Sequence, residues 1–180
     1  MILTYKECIE KFGNDYQLAR AVAEECVYRV ESGVYSTERY SSELEIIVKK
    51  YPNAILTGES AFYYHDLTDV IPKKYHIATK AKAAPLHDVR IMQTYIRDDL
   101  LQLGVEEKKI SGVTVKIYDK ERMLIELLRN KNTMPFDLYK EIIGNYRKII
   151  EGLEIWRIQE YADIFPKSKM IKKALEEEVF

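Results

Sequence analysis

Tyr16, Gln17 and Arg20 sit together near the start of the chain. If Leu18, Ala21 and Val22 face a core, these three side chains face outward on the same helix. Gln can pair in bidentate fashion with adenine and Arg with guanine, so the set suits reading of base edges in a major groove. Lys11, Arg29 and Arg39, with Lys6, are cations that suit phosphate contacts. A second basic run lies further on. Between Lys73 and Arg90 the charged residues are Lys73, Lys74, Lys80, Lys82 and Arg90 against the single acid Asp88, a net of +4. His76 and His87 stand beside them. This run reads either as a solvated loop rim or as a surface that adds phosphate attraction.

Enzyme chemistry finds less footing. A nucleotidyltransferase needs a Gly-Ser helix start and two close carboxylates on a strand to hold Mg²⁺ among phosphates. Here Glu59 separates Gly58 from Ser60, and Asp66 and Asp69 lead into Val-Ile-Pro. For a metal nuclease the only candidates are Asp99 with Glu106 and Lys108, in an expected helix and loop. His65, His76 and His87 lack zinc spacing, and His65 reads as a satisfied polar residue at a helix end. Cys8 and Cys26 fit no metal pattern and read as buried free thiols. No nucleophile triad can be assembled. The expectation is a protein that is not an enzyme and needs no metal or cofactor.

The elements that must position these groups follow from periodicity. Tyr5 to Phe12 reads as a short helix stopped by Gly13, and Asn14 caps a second helix from Asp15 to Glu25. The period then shortens: Val27 to Val30 alternates, Glu31-Ser32-Gly33 turns, and Val34-Tyr35 returns. Helix, turn, helix and hairpin are the components of a winged helix, with its usual first helix missing or reduced to Met1–Thr4. Thr37 to Ser42 is a polar connector. Ser41 caps a helix through Lys50, and Ala54 to Leu56 is a short strand feeding a helix from Thr57 through Tyr64. Tyr75 to Thr79 and Val89 to Ile96 are strands. Arg97 to Leu103 is a short helix, Val113 to Tyr118 a strand, and Asp119 caps a helix from Lys120 to Arg129. Further helices run from Pro135 to about Ile143 or Tyr146, from Leu153 to Ile164 and from Ser168 to Glu178. The expected class is α+β: a winged-helix-like unit over residues 1–38, then a small mixed α/β domain over residues 39–180 with a helical C-terminal third.

Charge cuts against the reader unit. The chain of 180 residues has a formal net charge of -1. Residues 1–40 hold five Lys/Arg and seven Asp/Glu, a net of -2. Phosphate attraction supplies most ordinary DNA affinity, so such a unit binds weakly alone. The competing reading is a helix–hairpin module for dimerisation or partner contact. No apolar run approaches the roughly 20 residues that span a bilayer, and no signal peptide is seen, which makes the cytoplasm the expected location.

Three stretches carry a resemblance. They are Arg29-Val-Glu-Ser-Gly-Val-Tyr-Ser36, Pro52-Asn-Ala-Ile-Leu-Thr-Gly-Glu-Ser-Ala-Phe-Tyr-Tyr-His65 through Ile71-Pro72, and the run from Gly104-Val105 through Ile110-Ser-Gly-Val113 to Ile117-Tyr-Asp-Lys-Glu-Arg122. In order and spacing this set resembles the AbiEi-like antitoxins of type IV toxin–antitoxin and abortive-infection (phage-defence) systems. The resemblance implies a transcriptional regulator that binds operator DNA through a winged helix. It also implies that the protein counteracts a nucleotidyltransferase-type toxin without a stable complex. A homodimer is compatible with it. The physical reading of the motif residues Gly58, Glu59, Ser60, Asp119, Glu121 and Arg122 is structural. Gly58 permits a close approach, Glu59 and Ser60 suit a first helical turn, and Arg122 is expected to pair with Glu59 or Asp119.

Overall fold

Thr4 decides where the first helix starts. Its backbone is extended, and its side chain and that of Glu7 satisfy each other's main chain: Thr4 N donates to Glu7 Oε2 (2.7 Å) and Glu7 N to Thr4 Oγ1 (3.3 Å). Such a reciprocal cap stabilises a helix by about 1 kcal/mol. In the computed structural model, which describes residues 1–180, this cap joins strand β1 (Ile2–Thr4) to helix α1 (Tyr5–Phe12). Gly13, at φ 98°, ends α1, a conformation that favours a residue without Cβ. Asn14 then caps α2 (Asp15–Ala23) by accepting from Gln17 N at 2.9 Å. Leu3, Cys8, Leu18, Ala21, Val27 and Tyr35 form the core beneath the two helices.

A hairpin follows, β2 (Tyr28–Glu31) and β3 (Val34–Ser36), turning at Gly33 with φ 74°. Strand β3 is central in a three-stranded antiparallel sheet ordered β1-β3-β2. The N-terminal residues thus serve as a sheet strand, where a winged helix often begins with a helix. Helix α3 (Glu43–Lys50) is capped by Ser42, not Ser41. Its Ile46 is buried in one cluster with Ile2 of β1 and Val34 of β3. The first unit therefore runs Met1–Ala54, beyond the expected limit at residue 38. The polar stretch from Thr37 to Ser42 is a bend within this unit, with Ser41 Oγ donating to Ser36 Oγ at 2.7 Å.

The second unit is Ile55–Phe180. Its five-stranded sheet comprises β4 (Ile55–Leu56), β5 (Tyr75–Lys80), β6 (Ile91–Ile96), β7 (Val105–Ile110) and β8 (Val113–Tyr118), in the order β6-β5-β4-β8-β7. Pairs β5/β6 and β4/β8 are parallel, and the other two pairs are antiparallel. Helix α4 (Gly58–Tyr64) follows β4, and the short α5 (Asp98–Leu101) joins β6 to β7. Helices α6 (Lys120–Arg129), α7 (Phe136–Ile149), α8 (Ile155–Ile164) and α9 (Ser168–Glu178) make up the C-terminal third. Helix α6 buries Met123, Leu124, Ile125, Leu127 and Leu128, nearly all round, as a central helix must. The fold is α+β, as expected from the sequence.

Candidate nucleic-acid interface

Burial of Leu18 and Ala21 in the first core fixes the rotation of α2. The opposite face then carries Tyr16, which is 74% exposed, with Gln17 and Arg20 also exposed. All three expected readers thus share one helix at the surface of the first unit. Arg20 is not idle there: its Nε donates to Glu24 Oε1 at 2.7 Å. At the N-terminal end of α2, Asp15 accepts a hydrogen bond from Tyr5 Oη at 2.6 Å. Arg29, on the hairpin strand β2, is exposed and has no ion-pair partner, and the same holds for Arg39. Lys11 is exposed, with its ammonium 5.6 Å from the centroid of the Phe12 ring.

The unit Met1–Ala54 holds seven Lys/Arg and nine Asp/Glu, again a net of -2. Several acids are neutralised in place. Glu7 pairs with Lys49 at 2.6 Å, and Glu31 with Lys50 at 3.2 Å. The Lys49 ammonium and the Thr4 main chain together hold the Glu7 carboxyl down to about 2. Each such pair removes one cation with one acid, so the net of -2 stands, and the cations left without a carboxylate are Lys11, Arg29 and Arg39.

In the second unit, Lys73 and Lys74 precede β5, Lys80 ends it, and Lys82 lies in the loop that follows; all four are exposed. The loop from 81 to 90 is organised by Gln93 of β6. Its Nε2 donates to Thr79 Oγ1 (2.8 Å) and Ala84 O (3.2 Å), and its Oε1 accepts from Leu86 N (2.8 Å). Arg90 departs from the expected patch: it donates from Nε and Nη2 to Asp88 at 2.8 and 2.6 Å and is half-buried. His76 is also half-buried, with burial pulling its pKa down and Glu59 opposing that shift at 3.9 Å.

The motif residues are fasteners. Gly58 has φ +52°, and a Cβ there would lie 2.8 Å from His76 Nδ1. Buried Ser60 accepts from His76 N at 2.8 Å and donates to Lys74 O at 3.4 Å, tying α4 to the start of β5. Asp119 caps α6 by accepting from Arg122 N (2.7 Å) and also accepts from Tyr161 Oη (2.9 Å). Burial nevertheless raises its pKa against those bonds. Glu121 accepts from Glu154 N at 3.0 Å, linking α6 to the start of α8.

Arg122 is fully buried, but not in the pair anticipated. Its side chain reaches neither Glu59 nor the Asp119 carboxylate as an ion-pair partner. Instead Nη1 donates to the carbonyls of Leu100 and Leu103, Nη2 meets Glu126 at 3.4 Å, and the guanidinium stacks 3.6 Å from the Tyr118 ring centroid. Arg122 Nε has no partner. Gly104 lets this happen, since a Cβ there would lie 2.9 Å from Arg122 Cβ. His65, at the end of α4, is buried as well. Its Nε2–H donates to Tyr118 O (2.7 Å), while Nδ1 accepts from Lys108 Nζ (3.4 Å), so the ring is neutral. Burial, helped by Lys108, pushes its pKa down to about 4.

Two other expectations change. Cys26 is exposed and only Cys8 is buried, because α2 ends at Ala23 and Glu25 turns to φ 56° before Cys26. Glu106 and Lys108 lie on strand β7, not in a loop. No group of three or more His, Cys, Asp or Glu side chains is placed to hold a metal ion, and no helix is long and apolar enough to cross a membrane. Comparison with known proteins returns no matching family model and no matching curated protein.

Proposed function

We propose that this chain is an antitoxin-like transcriptional regulator that reads operator DNA through α2 and the β2–β3 hairpin. It counteracts a nucleotidyltransferase-type toxin and is itself not an enzyme. The single observation that carries the DNA reading is the outward set Tyr16, Gln17 and Arg20 on a helix whose other face is locked by Leu18 and Ala21. A hairpin that presents the unpaired Arg29 follows that helix, in the order a winged helix uses. The toxin link rests on the resemblance of the Thr57–His65 and Tyr118–Arg122 stretches. The fastening role of those residues is what a scaffold requires and what a catalytic centre does not.

The test is fluorescence anisotropy of the full chain with duplex DNA from its own upstream region, across a salt series. Sequence-selective binding that Gln17→Ala and Arg20→Ala weaken, each by roughly tenfold, supports the reading. Binding that is absent, or equal on any duplex, favours a protein-interaction module instead. The unit's net charge of -2 is the observation behind that second reading.

A further inference from the structure

The two edges of the five-stranded sheet are built differently. Edge strand β7 carries Glu106, Glu107, Lys108 and Lys109 in its six residues, the charge pattern that keeps an edge from pairing with another chain. Edge strand β6 reads Ile91-Met-Gln-Thr-Tyr-Ile96, without a charge or a proline. Tyr75 N donates to Arg90 O at 2.8 Å, and the β5/β6 register continues from there through Lys80 and Ile96. Residues 92, 94 and 96 therefore bond toward β5, and the main-chain groups of 91, 93 and 95 point away from the sheet. Ile91 N is taken by Asp88 O at 3.1 Å. The N–H and C=O of Gln93 and Tyr95 meet no partner within the chain. Met92, Thr94 and Tyr95 are exposed beside them, Met92 at 48% and Tyr95 at 47%.

The geometry points to a second copy of this chain as the occupant of that edge, through antiparallel pairing of β6 with β6 about a two-fold axis at Thr94. Only outward-pointing residues can exchange hydrogen bonds, which restricts the registers. The register centred on Thr94 uses all four free groups: Gln93 pairs with Tyr95 of the second copy, and the reverse, for four main-chain bonds. It sets Thr94 against Thr94 and Met92 against Ile96, favourable cross-strand neighbours. Just beyond the strand ends it brings Arg90, which holds Asp88 at 2.6 Å, toward Asp98 at the head of α5. Asp98 is exposed and has no ion-pair partner in its own chain, since Arg97 engages Asp99 at 2.6 Å. This assembly does not depend on the DNA reading. An edge contact of this kind is small compared with a standard interface, so the dimer is weak and concentration-dependent.

Sedimentation equilibrium of the full chain tests it. The expected result is a monomer–dimer equilibrium with appreciable dimer at about 10⁻⁴ M. Thr94→Lys puts two ammonium groups face to face and should raise the dissociation constant by roughly tenfold or more, with an unchanged melting temperature because Thr94 is exposed. Thr94→Cys in a Cys26→Ser background supplies a second readout. Facing residues at a non-hydrogen-bonded antiparallel position have Cα atoms about 4.5 Å apart, within disulfide reach. Mild oxidation should then give a covalent dimer, while Met92→Cys in the same background should not. A wild-type chain that stays monomeric at that concentration overturns the inference. So does a dimer indifferent to Thr94→Lys that Thr94→Cys fails to cross-link.

Discussion

Replacing Arg122 by Ala should unfold the second unit at much lower temperature, and the structure sets the size of the loss. The substitution leaves Leu103 O without a donor and takes one donor from Leu100 O, which keeps the bond from Leu103 N at 3.3 Å, at the start of the path from α5 to β7. A buried acceptor left unsatisfied costs about 1–3 kcal/mol. The guanidinium also stacks on Tyr118 with a centroid distance of 3.6 Å, a contact that contributes about 1–2 kcal/mol when desolvated. Glu126 is not orphaned, because Arg129 stays beside it at 3.1 Å, so no unpaired buried charge adds to the loss. Against these terms stands the desolvation of the guanidinium itself, which lowers its pKa and which the variant escapes. A net loss of about 3–4 kcal/mol remains, equivalent to roughly 10 °C in melting temperature for a domain of this size. Arg122→Met keeps most of the stem packing and should lose about half as much. The chain's one tryptophan, Trp156, sits on α8 of this unit, so its fluorescence in thermal and urea unfolding reports the relevant transition. An Arg122→Ala protein that melts within a degree of wild type would refute the view that this side chain is a structural fastener.

Three further outcomes are expected. His65 is held neutral with a pKa of about 4, so the unfolded chain binds the extra proton first as pH falls. Stability is therefore full above the ordinary histidine value near 6.5 and declines between there and about 4, by up to about 3 kcal/mol; His65→Gln should flatten that decline in urea midpoints taken at pH 7 and pH 4.5. Glu24→Gln releases Arg20 from its 2.7 Å bond and removes a negative charge from α2, and should tighten binding to the upstream duplex by roughly two- to fivefold; weaker binding would show that Glu24 orients Arg20 productively. Charge reversal of Lys80 and Lys82 together should weaken nucleic-acid binding at moderate salt and flatten the log–log salt dependence by about two phosphate contacts, and an unaltered slope would confine the interface to the first unit.

The elements that could be read from the sequence are those whose signal is local. Helices α1, α2 and α6 have side-chain caps, α1 and the hairpin have turn glycines, and α8 and α9, without side-chain caps, show a clear apolar period. Strand β1 escaped because three residues at a chain end show no alternation; only its pairing with β3 makes it a strand. Strand β7 escaped because it is a sheet edge, and the charges that protect the edge erase the apolar pattern by which strands are recognised. The link from Thr37 to Ser42 looked like a domain boundary because it is polar, although Ser36 and Ser41 bond to each other there. The outward set on α2 was legible because its inward neighbours are apolar at helical spacing. Arg122 was legible as a fastener, but its partners were not. Main-chain carbonyls leave no mark in a sequence, and nothing local ties Gly104, the glycine that admits the side chain, to Arg122.

The charge placement bears on how the proposed DNA reading would discriminate. On the first unit the cations without a carboxylate partner are Lys11, Arg29 and Arg39, since Lys6, Arg20, Lys49 and Lys50 all face acids. Three phosphates neutralised here, with the two assigned to Lys80 and Lys82, correspond to a log–log salt slope of about -4 to -5, at the shallow end of the roughly -5 to -9 shown by proteins with 6–10 phosphate contacts. With acids also on α2, at Asp15 and just beyond it at Glu24 and Glu25, non-specific attraction to a duplex is poor. Affinity must then come disproportionately from base contacts by Gln17 and Arg20 and from stacking or edge contacts by Tyr16. Such a reader gives up search speed and non-specific affinity and gains a large ratio between its site and random DNA. The expected signature is a shallow salt slope together with a steep loss on operator mutation. A steep slope with little sequence preference would place the binding on the lysines around β5 and not on α2.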